Sequence, residues 1–367
     1  MHKLEIELAK GFLMYDIRLT GVTKRFEAFT AVNDINFTIP KSSVTVLLGP
    51  SGCGKTTLMR MIAGLESPTE GRIFFDDHDV TDVPTRRRNI GMVFQYPVIY
   101  RGTSVRRNLE LPLLSEKLSK AEIEKRVDEV AEILDLTSVL KRQVEELDNG
   151  TRQKIAVGRE VARQPKIILF DEPITNIDLT SKLELKRSMK ELFGRLQQTI
   201  VYVTHDQTEA MTLADQIALM QDGVITQSDS PKEIYEKPTS QFAGWFLGNP
   251  GMNFVPPEFI SVSGNKVSSP LFSQVIDMGT RAKDADTYGV RAEGIQVSLT
   301  ETKGGVPAKV TRKSIGAGGQ YLLDLAFGSL LAKARVSHEI GKAASGMVYT
   351  TIASENITFF DKSGTAI

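Results

Sequence analysis

Residues 49–56 read Gly49-Pro50-Ser51-Gly52-Cys53-Gly54-Lys55-Thr56, a match to the pattern G-x-x-x-x-G-K-[ST]. That pattern has physical content only between a strand and a helix. Here the apolar run Val44 to Leu48 precedes it and reads as a buried strand. Thr57-Leu58-Met59-Arg60-Met61-Ile62-Ala63-Gly64-Leu65 follows, with Leu58, Met61, Ile62 and Leu65 on one helical face. Glycines let main-chain N–H groups curl around an anion, and the helix N-terminus adds its partial positive charge. Lys55 can then reach the outer phosphates and Thr56 can ligate Mg²⁺. The stretch is expected to bind a nucleoside triphosphate, with Pro50, Ser51, Cys53 and Thr57 completing the loop.

The totals exclude several classes. At roughly 100–200 residues per domain, 367 residues make two or three domains. Lys+Arg and Asp+Glu both number 45, so the basic field that nonspecific nucleic-acid binding uses is missing, and nucleic acid is not expected as a partner. The single cysteine, Cys53, rules out an internal disulfide and fits a reducing compartment. No apolar run approaches the roughly 18 residues that would cross a bilayer. Lys3, Glu5, Glu7 and Lys10 spoil a secretory apolar region. The expectation is a cytoplasmic chain that meets a membrane only through another protein. Residues 1–14 read as an extension, with Met14 as an alternative start.

Along the chain, Tyr15-Asp16-Ile17-Arg18-Leu19 and Ile35-Asn36-Phe37-Thr38-Ile39 alternate apolar and polar residues, as half-exposed strands do. Between them Phe26 is either a core aromatic or a platform for a flat base. Gly71 to Phe75 and Ile90 to Phe94 add strands, the second ending at Gln95. From about residue 104 to 164 the texture is helical. Ser119-Lys120-Ala121-Glu122 is a capping box, and Ile123, Val127, Val130 and Leu134 follow at helical spacing. Strands return at Ile167 to Phe170, before Asp171-Glu172-Pro173, and at Ile200 to Thr204, before His205; a helix carrying Leu185, Met189 and Leu192 lies between. Short apolar strands alternating with helices give an α/β fold with a parallel sheet covered on both faces. After about residue 245 short segments broken by Gly-Asn, Gly-Gly and Ser-Gly turns read as a separate all-β barrel or sandwich, residues 246–367.

Ligands in open α/β sheets bind at the carboxyl ends of the strands. Gly49 to Thr56, Gln95, Asp171, Glu172 and His205 all stand just after apolar strand runs, so one sheet edge should gather them. Asp171 is placed to hold Mg²⁺, Glu172 to polarise the attacking water and His205 to bond the terminal phosphate. Gln95 can touch metal or water.

With Phe94-Gln95, Ile-Leu-Phe-Asp171-Glu172-Pro and Val-Thr-His205-Asp-Gln-Thr-Glu-Ala-Met beside the glycine loop, the chain resembles the ATP-binding subunits of bacterial ABC importers, in the maltose-type branch for sugars and polyols. The resemblance extends over essentially the whole chain. It implies a P-loop ABC ATPase domain over 15–245, made of a RecA-like parallel sheet, an antiparallel β part and a helical subdomain, followed by an OB-like regulatory domain. It makes Phe26 the adenine-stacking aromatic. It also makes the segment after Gln95 a groove for integral-membrane permease subunits at the cytoplasmic face of the membrane, with a solute-binding protein engaged indirectly. ATP and Mg²⁺ are the implied cofactors. Pro97-Val98-Ile99-Tyr100 and the altered segment described next are most like glycerol-importer ATPases.

One element departs from the family. Where it carries Leu-Ser-Gly-Gly-Gln, a motif that closes over ATP held by a second ATPase subunit, this chain has Leu147-Asp148-Asn149-Gly150-Thr151. Asp148 suits a helix N-cap. Against a phosphate it is unfavourable: two unit charges about 4 Å apart cost roughly 4 kcal/mol at an effective dielectric near 20. The lost serine hydroxyl bond adds roughly 1.5–3 kcal/mol. Thr175-Asn176-Ile177-Asp178 departs mildly from the usual Ser-Asn-Leu-Asp and keeps Asp178. The expectation is an ATPase working as half of a heterodimer with unequal sites. A regulatory subunit that hydrolyses weakly and a soluble ABC ATPase acting on nucleic acid or ribosomes are the alternatives.

Overall fold

The computed structural model describes residues 15–175 and 177–367, so the expected N-terminal extension and Asn176 lie outside the described residues. Two compact units divide between Pro231 and Lys232.

The first unit opens with an antiparallel pair, β1 (Ile17–Phe26) and β2 (Phe29–Ile39), followed by β3 (Val44–Leu48) and the helix α1 (Lys55–Ala63). Strands β4 (Glu70–Phe75) and β5 (His78–Asp79) join the first pair in a sheet of order β2-β1-β4-β5. After β6 (Ile90–Val93) the chain turns helical in α2 (Val105–Glu110), α3 (Lys120–Ile133) and α4 (Asn149–Ala162). It then alternates through β7 (Ile167–Asp171), α5 (Leu179–Arg195), β8 (Thr199–Thr204), α6 (Gln207–Leu213), β9 (Gln216–Gln221) and β10 (Val224–Asp229). These strands and β3 form a six-stranded sheet of order β10-β9-β3-β8-β7-β6, parallel except for the β9–β10 hairpin.

Every residue of β3, β7 and β8 is buried, as their unbroken apolar runs require of strands covered on both faces. Leu58, Met61 and Ile62 of α1 pack with Leu47, Val201 and Val203 of that sheet and with Ile17, Val32 and Ile73 of the antiparallel one in one core. Leu65 departs from expectation. The helix stops at a left-handed Gly64 C-cap, φ +74°, leaving Leu65 half exposed. Likewise β6 ends at Val93, so Phe94 stands partly exposed beyond it. The helical part falls where the sequence put it, and the Ser119–Glu122 capping box forms.

The second unit is strand-rich, consistent with an OB-like domain. One sheet pairs Asn253–Val255, Thr287–Val290 and Ile357–Phe360. Another pairs Ser261–Ser263, Lys266–Ser269 and Phe272–Asp277. A five-stranded antiparallel sheet runs Ile295–Ser298, Met347–Ile352, Val306–Ile315, Tyr321–Phe327, Leu330–Val336. The unit begins earlier than the expected boundary at 245/246, for a physical reason. Arg291, buried among its own unit's strands, donates to the carbonyls of Tyr235, Gly244 and Leu247 and lies 4.0 Å over the Tyr235 ring. Residues 232–247 therefore supply the acceptors that a buried guanidinium needs.

A chain cut after Pro231 should fold and gain thermal stability on adding ATP, because a ligand that binds only the folded state raises Tm. One cut after Gly248 should be less soluble, since it keeps 232–248 without Arg291. A chain ending at Pro231 whose Tm ignores ATP overturns this division.

Candidate functional site

Register gathers the site. Leu48 pairs with Thr204, Asp171 with Val203 and Val93 with Phe170, so β3, β8, β7 and β6 end level at one edge of the sheet. The residues leaving those ends are Gly49 onward, His205, Asp171 with Glu172, and Phe94-Gln95.

The loop after β3 curls back on itself. Gly54 has φ +102°, and a Cβ there would stand 2.2 Å from the Ala31 carbonyl oxygen, so only glycine lets the loop lie against β2. Lys55, 4 % exposed, donates from Nζ to the carbonyls of Gly49 and Pro50, each at 2.8 Å. Its Nζ also lies 3.6 Å from the Cys53 thiol. Burial pushes that thiol up, and Lys55 only partly offsets this, so Cys53 is a buried filler of the loop. Ser51 and Gly52 are exposed; Pro50, Gly54, Thr56 and Thr57 are half-buried. At the first turn of α1 the Thr56 hydroxyl donates to Asp171 Oδ1 at 3.1 Å.

The strand β7 breaks sharply after Asp171. Glu172 has φ +44°, a left-handed backbone that costs a non-glycine residue about 1 kcal/mol. It is held there by its N–H donating to Val203 and by its carbonyl accepting from the Thr175 hydroxyl. The turn brings Glu172 Oε2 to 3.1 Å from His205 Nδ1. Behind His205, buried Glu209 accepts from Tyr202 (3.0 Å) and Thr204 (2.8 Å), and Lys182 of α5 reaches Glu209 (3.3 Å) and Asp206 (2.8 Å). None of these supporting residues stands out in sequence, because a lone Glu or Lys four to seven positions from a motif reads as surface charge. Gln95 is half-buried two residues past β6.

Phe26 is not a core residue. It is 40 % exposed at the end of β1, its ring 5.4 Å from Phe29 and 5.0 Å from the Lys24 ammonium. Phe29, more exposed still, was not singled out from the sequence.

Among the described residues, Asp148 and Gly150 form no hydrogen bond or ion pair with residues 49–56, 95, 171, 172 or 205. Asp148 caps α4, Oδ1 accepting the Thr151 N–H at 2.8 Å and Oδ2 the Thr151 hydroxyl at 2.7 Å. Partial burial opposes its ionisation, but the two Thr151 bonds hold the carboxyl below the ordinary carboxylate range. Gly150 lies against α5, where a Cβ would meet Ser181 Cβ at 2.6 Å. Asp178 caps α5 through the Ser181 N–H at 3.0 Å. Beyond Gln95, a groove of about 570 Å³ runs between Tyr96, Val98 and Ile99 on one side and Glu145, Asn149 and Arg152 on the other. Among the described residues no helix is long and apolar enough to cross a membrane.

Burial pushes the Asp171 carboxyl above its ordinary value of 3.8, and the Thr56 bond opposes that without cancelling it. The folded chain therefore keeps this proton to higher pH than the unfolded chain. Stability falls as pH rises from 3.8 through the raised value, and the deficit persists at neutral pH. Asp171→Asn keeps an acceptor for Thr56. It should raise the nucleotide-free Tm at pH 7 and flatten that part of the pH profile while suppressing hydrolysis. An unchanged Tm would mean that the buried carboxylate carries no such cost.

The chain is similar to known proteins over nearly its full length. The ABC transporter family model matches residues 32–175. The sn-glycerol-3-phosphate import ATP-binding protein UgpC of Salmonella typhimurium is 38% identical over 352 residues, 95% of this chain and 98% of that one. The trehalose/maltose import ATP-binding protein MalK of Thermococcus litoralis is 44% identical over 248 residues, 66% of this chain and 67% of that one. Among solved structures, cbiO1 from Clostridium perfringens, part of the ABC transporter complex cbiONQ, matches with a TM-score of 0.55 and 27% identity over 60% of this chain and 91% of its own. An ATP-binding cassette in a dimeric post-hydrolysis state bound to ADP and Pi matches with a TM-score of 0.51 and 29% identity over 59% and 98%. With a phosphate-binding loop, a buried Asp171 and a Glu172–His205 pair on one sheet edge, the chain belongs to the ABC transporter family as an ATP-binding import protein and is an ATPase.

Proposed function

We propose that this chain energises import of a carbohydrate, polyol or phosphorylated polyol from the cytoplasmic face of a membrane, through permease subunits docked in the groove after Gln95. The names of its relatives, one for sn-glycerol-3-phosphate and one for trehalose/maltose, support that substrate range. A solute-binding protein is engaged only through the permease. Nucleic acid has no evident footing on a chain of zero formal net charge.

The observation that carries the reading is the 3.1 Å approach of Glu172 to His205, beside the Thr56–Asp171 pair. Glu172 accepts a proton from the attacking water, and His205 holds the terminal phosphate. Lys55 exchanges its two carbonyl acceptors for phosphate oxygens, and Phe26, with Phe29 beside it, stacks the base. Thr56 and Asp171 offer hard oxygen donors of the kind Mg²⁺ takes, and Gln95 extends from the neighbouring strand. Among the described residues no three His, Cys, Asp or Glu side chains stand together, so phosphate and water oxygens would complete the shell. Mg²⁺ bound there would neutralise charge that builds on the phosphates. Glu172→Gln should leave ATP affinity nearly unchanged and cut turnover by at least roughly 10²-fold, measured by phosphate release. Equal loss of binding refutes the role.

We further propose a heterodimer. In a composite site the start of α4 faces ATP held by the second subunit, and Gly150 and Asp178 lie at that face. Here the Thr151 N–H, one of the free donors that such a helix offers to phosphate, is already taken by the Asp148 carboxylate. A homodimer repeats the defect in both sites. A partner with an ordinary signature confines it to one. Purified alone, the chain should bind ATP and hydrolyse it slowly, and Asp148→Ser with Asn149→Gly and Thr151→Gln should raise the rate. Fast, cooperative hydrolysis by the unmodified chain would sink the heterodimer.

A further inference from the structure

The outward face of the five-stranded sheet in the second unit carries a cavity of about 380 Å³, a size that small-molecule sites take. Along Tyr321–Phe327 the residues Leu323, Leu325 and Phe327 are buried in the core, so Leu322, Asp324 and Ala326 face outward. Leu331 and Lys333 of the neighbouring strand are exposed on that same face, and Lys333 pairs directly with Asp324. On the other side of Asp324, the Thr311 hydroxyl donates to the Asp324 carbonyl at 3.0 Å. Thr311, half-buried Asp324 and Lys333 form a polar floor to the cavity.

One wall is Trp245, the only tryptophan of the chain. It is 60 % exposed, yet its ring is held in place. Phe242 and Phe246 of the same short helix, Gln241–Phe246, stand 6.4 and 6.2 Å from it between ring centroids. From behind, the chain closes on it at Gly251, where a Cβ would stand 2.6 Å from the Trp245 carbonyl oxygen and 3.2 Å from Cδ1 of the ring. Asn253 then ties this segment to the floor. Its side chain accepts the Lys333 N–H at 2.7 Å and donates to the Lys333 carbonyl at 2.9 Å. Wall and floor are therefore fixed relative to each other before any ligand arrives, which lowers the ordering cost of binding.

The groups left over define the ligand. Among the described residues, no hydrogen bond or ion pair reaches the Asp324 carboxylate, the Lys333 ammonium or the Trp245 indole N–H. A carboxylate only accepts and an ammonium only donates, and here the two are neighbours across a strand pair. A hydroxyl does both, so adjacent hydroxyls on one small molecule satisfy both groups, and Thr311 keeps lone pairs to accept a further one. The two opposite charges on the floor cancel, which removes the preference for an anion. The exposed indole offers a flat apolar face to C–H groups and a polar edge to a hydroxyl. We propose that this cavity binds an uncharged polyhydroxy compound, a sugar or polyol, laid on Trp245 with its hydroxyls on Asp324, Lys333 and Thr311. This chemistry is independent of which solute the chain helps to import, and none of the residues assigned to nucleotide takes part in it.

Because Trp245 is the only tryptophan, its fluorescence in the full chain reports this site alone. Glycerol, glucose, maltose and trehalose are titrated into the nucleotide-free chain. At least one should shift the emission saturably, and adding ATP should not displace it. Asp324→Ala should raise the half-saturating concentration by about 10-fold or more and Thr311→Val by about threefold, as loss of a charged and of a neutral hydrogen bond do. Both variants should keep the sugar-free emission of the unmodified chain, which shows the setting of Trp245 intact. Trp245→Ala should abolish binding of the radiolabelled sugar in equilibrium dialysis. No saturable shift with any of the four compounds overturns the proposal, as does a shift that Asp324→Ala leaves unchanged. An emission change that follows protein concentration instead of sugar overturns it in favour of a contact between chains. One that adenosine produces as well as the sugars overturns it in favour of a base site.

Discussion

The site depends on the parallel register of β3, β8, β7 and β6. Each strand ends at or just before a candidate site residue, and the pairings Leu48 to Thr204, Asp171 to Val203 and Val93 to Phe170 hold those strand ends level. A slip of one residue in β7 would move Asp171 by about 3.3 Å and invert its facing. The Thr56–Asp171 bond at 3.1 Å would then be lost. The strands are apolar on both faces, so a slip does not expose a polar face to enforce the register. Turn geometry enforces it instead. The left-handed Glu172, anchored to Val203, can be built at only one place along β8. The backbone cost at Glu172 thus fixes register and aims the carboxylate together.

The helix α1 carries a buried cation at each end, and the two differ in consequence. Arg88 stands at the C-terminus and donates to the carbonyls of Met61 and Ile62, with Val83 and Thr81 taking the rest of its fork. It satisfies carbonyls that a helix end leaves free, on the end where positive charge is favoured. Lys55 stands at the N-terminus, where the helix dipole repels it. Its ammonium donates to two loop carbonyls and lies near the Cys53 sulfur. A charge held at this end of a helix is relieved by an anion. The phosphate contact proposed for this loop would relieve the charge that the helix start disfavours.

Much of this was legible in the sequence, and the rest failed for identifiable reasons. The glycine loop, the strands that end at Asp171 and Thr204 and the helical part over 104–164 follow from unbroken apolar runs and a capping box, which are local. The domain boundary was missed because residues 232–247 are held by Arg291, a contact spanning 44 to 56 positions that no window of sequence reveals. Leu65 fitted the helical period but fell past Gly64, where the glycine outweighs the periodicity. Phe26 was ambiguous from its neighbours alone, since exposure depends on where the β1–β2 turn places it. Glu209 and Lys182 were given no role from the sequence. Their importance comes from the fold placing α5 and α6 together behind His205.

The departure at residues 147–151 is chemical and not architectural. Asp148 caps α4, Thr151 donates to both of its oxygens, and Gly150 lies against Ser181 of α5. Nothing in this packing would distinguish the helix from one that receives a phosphate. The difference is that its own carboxylate already neutralises the helix start. Helix α4 also holds the 94–102 segment through Gln153 and Arg159, beside the groove lined by Tyr96, Val98 and Ile99. The proposed unequal sites rest on this occupied helix start, where the Thr151 N–H already has a partner.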